Sequence, residues 1–387
     1  MRTMTRNAAN MKAGNMLEII DMVRRGPVSR ADVARAMGLT RAAVTIIVDR
    51  LVREGIITER GEGGGRKPVL LDIGEGGPLF MGVDITRVGC SIGISDLKGS
   101  LIARAGFGLD SGESFDRVLP QIVSGMKEVY EKAGSPQRLM GAGVSVPGPV
   151  DARTGTVLNP PNFNMLQNRN VLDHLKGHFS FGMWLDNNAA ARALWEKNLG
   201  GGLRYRNFMA LIVDTGVGSG LVLDGRLYRG LGFAGEAGHV SLDMAGPPCA
   251  CGNRGCLEVY AAIPALLRRE SAGRTDNTCW RDVVDCAEKG DGLCLEIVGK
   301  EARYLSHGIV NAANLLDLEA VILTGDVAYR PALLLDAIRK RVQAARITGS
   351  IHNLEIFASA MPGYAGEVCA AMIAMDRFFL GETQWGV

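Results

Sequence analysis

VDTGVGSGLVLDGRLYRGLGFAGEAGHVSLDMAGPPCACGNRGCLE, residues 213–258, is the stretch on which the interpretation of the whole chain depends. It combines a glycine-rich turn, an acid and a histidine three residues apart, and three closely spaced cysteines. The turn contains Thr215, Gly216, Gly218 and Gly220, and glycines of this kind let backbone N–H groups approach a phosphate. Because few globular chains hold all three features in one segment, we expect them to form a single functional site.

The composition indicates a soluble protein with more than one domain. The chain has 387 residues, of which 47% are hydrophobic and 22% are charged, so two or three domains are expected. No run of 18 apolar residues occurs, and this predicts no membrane insertion. The N-terminal residues lack the apolar segment of a signal peptide, which favours a cytoplasmic location.

The positive charge is concentrated at the N-terminus. Residues 1–70 contain 13 Lys or Arg and 7 Asp or Glu, a surplus of six positive charges, whereas the remainder contains 30 and 34. A basic module attached to a slightly acidic body predicts that only the module binds a polyanion.

Residues 1–73 have the pattern of a winged helix-turn-helix domain. Apolar residues at helical spacing predict helices over 15–25, 30–37 and 41–55. Ser29 and Asp32 form a variant capping box before the second helix, Gly38 ends it, and Thr40 caps the third. Two strands separated by a glycine-rich tip follow, over 56–60 and 69–73, and predict the wing.

The third helix is expected to enter the major groove of DNA. Arg41 and Thr45 are the predicted contacts to base edges. Arg66 and Lys67, on the flexible tip of the wing, are predicted to reach phosphates or the minor groove. The pattern alone leaves open a helical module that binds protein instead of DNA.

After residue 78 the pattern changes to strands followed by helices, in two successive series. Two α/β lobes with a cleft between them are therefore expected, over 79–186 and 187–363, and a helix at about 364–387 completes the first lobe. Ligands in such sheets bind beyond the carboxyl ends of strands. The residues predicted at these ends are Asp84, Pro147, Asn187, Gly216 and Gly325.

The motifs of this body resemble those of the ROK family of sugar kinases and sugar-responsive repressors. They are DTGVGSG at 214–220, EAGH at 236–239 and CxCGxxGCLE at 249–258. The resemblance implies an actin/hexokinase-like fold, and with the winged head the chain is similar to the xylose-repressor and N-acetylglucosamine-repressor branch. It also implies a homodimer or dimer of dimers, palindromic operator DNA, and a monosaccharide or sugar phosphate as effector.

One imidazole and three thiols have the donor types of a structural zinc site. They belong to His239, Cys249, Cys251 and Cys256, and the resemblance implies the same four ligands. A complete tetrahedral set leaves no open coordination position, so no metal catalysis is expected. The alternative interpretation is a group of free thiols.

The acids and the histidine of this stretch are suited to hydrogen bonding with the hydroxyls of a sugar. Glu236 and His239 lie three residues apart and can converge on one ligand, and Glu258 follows the cysteines. The resemblance implies that a sugar contacts Asn187, Asn188, Glu236, His239 and Glu258, with Gly148 and Asn162 nearby. The alternative is that both glutamates are surface acids.

Two positions that a sugar kinase needs are altered. The resemblance places the catalytic base at Asn188, and a carboxamide cannot accept the proton of a hydroxyl. In the first phosphate loop, which begins at Asp84, Thr86 replaces a glycine and Val88 replaces a residue with a hydroxyl. ATP binding is therefore not expected, and both phosphate loops are interpreted as vestigial. The open alternatives are a sugar kinase with a DNA-binding head and a docking platform for a membrane sugar-transport protein.

Overall fold

The computed structural model describes residues 8–61, 68–110, 112–160, 163–270, 279–345, 353–362 and 365–383. The head contains three helices and a small sheet: α1 (Ala8–Arg25), β1 (Val28–Ser29), α2 (Arg30–Met37), α3 (Arg41–Arg53), β2 (Ile57–Arg60) and β3 (Leu70–Ile73). Helix α1 begins seven residues before its predicted start, since residues 8–14 lack an apolar stripe that would have revealed it.

The caps of the helix-turn-helix are those that the sequence predicts. Ser29 and Asp32 form a reciprocal capping box at the start of α2, and Gly38 ends this helix with a φ of 64°. Oγ1 of Thr40 accepts a hydrogen bond from the backbone N–H of Ala43 at 3.2 Å. Strand β3 pairs with β2 on one side and with β1 on the other, so the predicted wing is confirmed. Its tip, with Arg66 and Lys67, lies outside the described residues.

The first lobe is built on a five-stranded sheet with the order β11-β7-β4-β5-β6. Its elements are β4 (Leu79–Ile85), β5 (Gly89–Ser95), β6 (Leu101–Gly108), α4 (Phe115–Lys132), β7 (Leu139–Val146), β8 (Val150–Asp151), β9 (Thr156–Val157), β10 (Arg169–Asn170), α5 (Val171–Lys176) and β11 (Met183–Asn187). The main strands and α4 agree with the sequence pattern. The small sheet of β8, β9 and β10 and the helix α5 were not predicted.

Helix α6 (Asn188–Asn198) follows β11 directly and leads to the second lobe. The elements of this lobe are β12 (Phe208–Val213), β13 (Val217–Leu223), β14 (Arg226–Tyr228), α7 (Leu257–Ala261), α8 (Ile263–Glu270), α9 (Trp280–Glu288), α10 (Gly292–Leu316), β15 (Ala320–Gly325), α11 (Ala332–Ala345) and β16 (Glu355–Ala358). Its sheet has the order β14-β13-β12-β15-β16. The last helix is α12 (Gly366–Phe379).

Alternating side chains of each sheet enter different cores. In β4, Phe80 packs with α6 and α12, whereas Met81 packs with α4. In β12, Phe208 joins the same core as α6, and Met209 joins the core formed with α7 to α11. Helices α6 and α12 therefore lie between the two sheets, because alternation along a strand sends successive residues to opposite faces.

The glycine turn after Asp214 is shorter than the sequence predicts. The turn comprises residues 214–216, and Gly218 and Gly220 lie on β13. A Cβ atom at Gly220 would collide with Ala189 and Ala193 of α6. This glycine therefore allows helix and strand to pack closely.

Within the described residues, no helix has both the length and the apolar character needed to span a membrane.

Candidate functional site

The carboxyl ends of several strands surround one cavity of about 260 Å³. Its polar lining comes from both lobes and from the start of α6: Asp84, Ser145, Asn188, Arg192, Asp214, Arg281, Thr324, Asp326 and Ser359. The two lobes also meet at their loops, where Arg87 donates a hydrogen bond to Thr215 at 3.4 Å. The expectation that strand ends from both series converge on a cleft is confirmed.

Three aspartates and two arginines give the cavity its charge. Burial raises the pKa of Asp84, which also bonds to Ser145. Burial, and then the charge of Asp214, raises the pKa of Asp326. Nη1 of Arg192 lies 3.3 Å from Oγ1 of Thr324.

The sequence interpretation missed Arg192 and Arg281. Arg192 lies four residues after Asn188 and thus on the same face of α6, which was a usable signal in the sequence. Arg281 begins no recognisable motif, and only the fold brings it to the cavity.

The altered first loop satisfies its own hydrogen bonds. The hydroxyl of Thr86 donates to the carbonyl of Gly89 at 2.9 Å and accepts from the N–H of Gly89 at 3.2 Å. Val88 is 78% exposed. A donor that already has a partner inside the loop is not available to a phosphate without breaking that bond.

The turn over 214–216 is occupied by carboxylates of the protein. Oδ1 of Asp214 accepts from the N–H of Gly216 at 3.3 Å, and Oε2 of Glu258 accepts from the N–H of Val217 at 3.0 Å. A Cβ atom at Gly216 would lie 2.9 Å from the same Glu258 oxygen. A side chain at position 216 would therefore displace the Glu258 carboxylate from the turn.

Glu236 lies beside two other predicted sugar ligands. Burial raises the pKa of its carboxyl group, His239 opposes that shift, and the charge of Glu258 adds to it. Because the charges of His239 and Glu258 affect the pKa of Glu236, the three residues lie close enough to interact electrostatically. They do not line the cavity described above; of the predicted sugar ligands that the structure describes, only Asn188 does.

Asn187 and Gly148 meet at the start of α6. Oδ1 of Asn187 caps the helix by accepting from the N–H of Ala190 at 2.7 Å. A Cβ atom at Gly148 would lie 3.2 Å from that of Asn187. The turn after β7 therefore sits against the helix cap, as the prediction requires. Asn162 lies outside the described residues.

His239, Cys249, Cys251 and Cys256 form a cluster that can hold a metal ion, with their donor atoms all within 4.8 Å of one another. Nδ1 of His239 lies 3.6 Å from Sγ of Cys249, and Sγ of Cys251 lies 3.7 Å from Sγ of Cys256. Two sulfurs bound tetrahedrally at about 2.3 Å from zinc would be about 3.8 Å apart. The donor set and the spacing therefore fit such an ion.

The loop that carries the cysteines is folded by backbone pairing. Ser241 bridges to Cys256, and Pro248 bridges to Arg254. The N–H of Leu257 donates to the carbonyl of Val240 at 2.9 Å. The cluster is thus connected directly to the start of α7, where Glu258 lies.

Helix α3 presents the predicted DNA-reading residues to solvent. Arg41 and Thr45 are both exposed. Ile46, which the sequence interpretation did not select, is 66% exposed beside them. The negative charge of Asp49 on this helix is neutralised, because Nη1 of Arg30 lies 2.6 Å from its Oδ1.

Comparison with known proteins identifies the body. Residues 80–377 match the model of the ROK family. The chain belongs to the ROK family. Residues 4–67, which form most of the head, match the model of the MarR family.

The similarity to named proteins extends over head and body. The xylose repressor of Caldicellulosiruptor bescii is 29% identical over 92% of this chain and 94% of its own length. A ROK family transcriptional regulator, a homologue of the E. coli MLC protein, has a TM-score of 0.79 at 26% identity and covers 96% of this chain and 97% of its own. The ROK hexokinase of Thermus thermophilus has a TM-score of 0.66 at 29% identity, but covers 77% of this chain and 98% of its own.

Proposed function

We propose that this chain is a sugar-responsive repressor that binds operator DNA through α3 and a sugar through its ROK body. The observation that carries the proposal is the union of a winged helix-turn-helix with a ROK body in one chain. The exposed Arg41 and Thr45 are the proposed contacts to base edges. Arg66 and Lys67 on the wing are the proposed contacts to phosphate.

The effector is a monosaccharide or a sugar phosphate. Its proposed partners are Asn187, Asn188, Glu236, His239 and Glu258, with Gly148 and Asn162 beside them. Support comes from the shared electrostatic neighbourhood of Glu236, His239 and Glu258. His239 directs Nδ1 at Cys249, so Nε2 is the nitrogen proposed to meet a sugar hydroxyl.

The body is proposed to have lost phosphoryl transfer. A carboxamide at Asn188 cannot act as general base, and this loss costs about 10²–10⁴-fold in rate. The hydroxyl of Thr86 donates to a carbonyl of its own loop. In the second turn, carboxylates of Asp214 and Glu258 accept from backbone N–H groups. Both observations support the proposal that the two loops no longer bind the phosphates of ATP.

The cluster of His239 and the three cysteines is proposed to hold a structural zinc. Zinc suits one imidazole and three thiolates, and a complete set contributes folding energy and leaves no position for substrate. The proposed role is to fix the loop that precedes Glu258.

Operator binding is proposed to involve a homodimer or a dimer of dimers in the cytoplasm. Half-sites of a palindromic operator lie about 34 Å apart or multiples of it, so two heads with a defined spacing are required. A sugar that binds more tightly to one arrangement of the lobes shifts the population toward that arrangement and changes this spacing.

The proposal is tested in two steps. Selection from a random duplex library gives the operator, and thermal melting with a panel of monosaccharides and their phosphates identifies an effector. The expected result is that the sugar that raises the melting temperature also changes operator affinity. A panel without any effect on either quantity contradicts the effector role, and a library without enrichment contradicts DNA reading.

The second candidate is a sugar kinase with a DNA-binding head. The observation in its favour is the group of three aspartates in the cavity, together with the likeness of the body to a ROK hexokinase. Sugar-dependent formation of ADP separates the two functions.

A further inference from the structure

The joint between head and body contains a buried arginine. Arg24, in the last turn of α1, is 8% exposed. Its Nη2 donates to Oδ1 of Asn198 at 2.7 Å, and its Nη1 donates to the backbone carbonyl of Asn198 at 3.2 Å. Nδ2 of Asn198 in turn donates to the carbonyl of Leu194 at 2.7 Å. The guanidinium thus binds both the side chain and the backbone at the end of α6.

The other contacts of Arg24 complete its environment. Its Nε lies 2.8 Å from Oδ1 of Asp21, and its Cζ lies 4.9 Å from the ring centre of Phe379, the last residue of α12. Burial lowers the pKa of Arg24, and Asp21 opposes this. Loss of a partner leaves a buried guanidinium charge uncompensated, which destabilises the protein. The planar N–H donors of the guanidinium also fix the orientation of the groups that it binds, as well as their distance. The orientation of α1 is therefore tied to α6.

The opposite end of α6 is the proposed sugar site. The helix begins at Asn188, next to its cap Asn187, and ends at Asn198. With a rise of 1.5 Å per residue, it spans about 16 Å. A regular helix between packed layers transmits a displacement of one end to the other.

Helix α6 is also attached to the second lobe. Its Ala189 and Ala193 pack directly on Gly220 of β13 in the second lobe, whereas Lys197 pairs at 3.1 Å with Asp376 of α12, the helix that packs on the first sheet. A movement of the second lobe against the first therefore displaces α6 against its surroundings.

The head has a second attachment, which goes to the first lobe. Lys98, in the turn after β5, pairs with Asp72 of the wing at 2.5 Å. Nη1 of Arg138 donates to the carbonyl of Gly77 at 2.8 Å and also to that of Glu75. The contact of Arg24 moves with α6, whereas the contacts of Lys98 and Arg138 move with the first sheet. A shift of α6 relative to that sheet consequently rotates the head.

We propose that Arg24 and Asn198 are positioning residues that couple the sugar site at the start of α6 to the orientation of the DNA-binding head. This inference rests on the proposed function. It names the mechanical link by which the same site regulates operator binding.

The test compares Asn198→Ala with wild-type full-length protein and with two further variants. Arg25→Ala is the matched control, because Arg25 also pairs with Asp21 but at an exposed position. Asn198→Asp is the conservative variant, since a carboxylate still accepts from Arg24. Melting temperatures verify that each variant is folded.

The first readout is the ratio of operator affinities without and with D-xylose, together with the melting shift that D-xylose causes. In Asn198→Ala we expect the melting shift to persist while the ratio falls to about one, from the 5–150-fold that is typical of allosteric coupling. Asn198→Asp and Arg25→Ala keep the wild-type ratio. If folded Asn198→Ala keeps the wild-type ratio of operator affinities, the proposed coupling is wrong. If D-xylose changes neither the melting temperature nor the operator affinity of the wild-type protein, D-xylose is not its effector.

The second readout needs no sugar. Operators with stepwise changes in half-site spacing are bound by wild-type protein and by Asn198→Ala. A loosened head is expected to flatten the dependence of affinity on spacing in Asn198→Ala but not in Arg25→Ala. If both variants keep the wild-type dependence, Asn198 does not position the head.

Discussion

Oε2 of Glu258 accepts the backbone N–H of Val217 across 3.0 Å. This bond joins the first turn of α7, two residues after Cys256, to the first residue of β13. The carboxylate that closes the glycine turn is therefore attached to the loop of the proposed zinc site. The bond would connect the proposed metal to the proposed sugar site, because a loop that loses its metal ion no longer fixes the start of α7.

Removal of the metal is expected to weaken sugar binding. A hydrogen bond to a charged group contributes about 1.5–3 kcal/mol, so displacement of Glu258 should lower sugar affinity about tenfold or more. The measurement is a sugar titration before and after chelation under reducing conditions, with metal analysis of both samples. Cys279→Ser, at an exposed thiol outside the cluster, should respond as wild type does. Unchanged sugar affinity in metal-free protein would separate the pocket from the metal.

Much of this arrangement could be predicted from sequence because it depends on local patterns. The caps of α2 and α3, the strands from β4 to β7 and the metal spacing all follow from residues close in the chain. Helices α7, α8 and α9 were not predicted, although Glu258 lies on α7. These helices are short, so their apolar faces repeat too few times to reveal a period.

Long-range relationships remained hidden in the sequence. Nothing near Asn198 indicates that Arg24 bonds to it across 174 positions. Gly220 illustrates the difficulty, since a glycine that permits helix packing and a glycine that binds phosphate look the same in a sequence.

Glu301→Met is expected to stabilise the protein at neutral pH. Glu301 is fully buried in α10, and neither carboxyl oxygen has a hydrogen-bond partner among the described residues. Burial raises its pKa well above the ordinary 4.5, so the native state retains a proton that the unfolded chain releases. The free energy of unfolding therefore falls as pH rises from 4.5 toward the raised pKa.

The methionine variant lacks this carboxyl and should be more stable by about 1–3 kcal/mol at about pH 7, the cost of an unsatisfied buried polar group. The difference should shrink toward about pH 4. Denaturant unfolding at both pH values measures it. Glu296→Met, at a site whose side chain is 59% exposed on the same helix, should lack this gain. A loss of stability in Glu301→Met at neutral pH would indicate a partner for this carboxyl.

Ile46 is expected to read a thymine methyl group. It is 66% exposed beside Arg41 and Thr45 on α3, and the thymine methyl is the apolar group of the major groove. Replacing that thymine by deoxyuracil should weaken binding about fourfold per half-site, because a buried methyl contributes about 0.8 kcal/mol.

Ile46→Ala should abolish this sensitivity, whereas Met11→Ala, at an exposed apolar position of α1, should preserve it. The measurement is a binding titration with operators that carry single deoxyuracil substitutions. Arg41→Ala in the same titrations should instead relax a preference for guanine. Equal sensitivity of wild type and Ile46→Ala at every position would remove Ile46 from the reading surface.

Wild-type protein is expected to form no ADP in response to sugar. Asn188 lines the cavity and stands at the position proposed for the lost base, and Arg192 on the same helix face approaches Asp84 and Asp326 there. If nucleotide still binds, Asn188→Asp should raise the rate above background by up to about 10²–10⁴-fold, whereas Asn188→Ala should leave it unchanged. A coupled assay of ADP with saturating ATP measures all three proteins. Wild-type turnover at the roughly 1–100 s⁻¹ of ordinary kinases would contradict the proposed loss of phosphoryl transfer and would direct the search for a base to the three aspartates of the cavity.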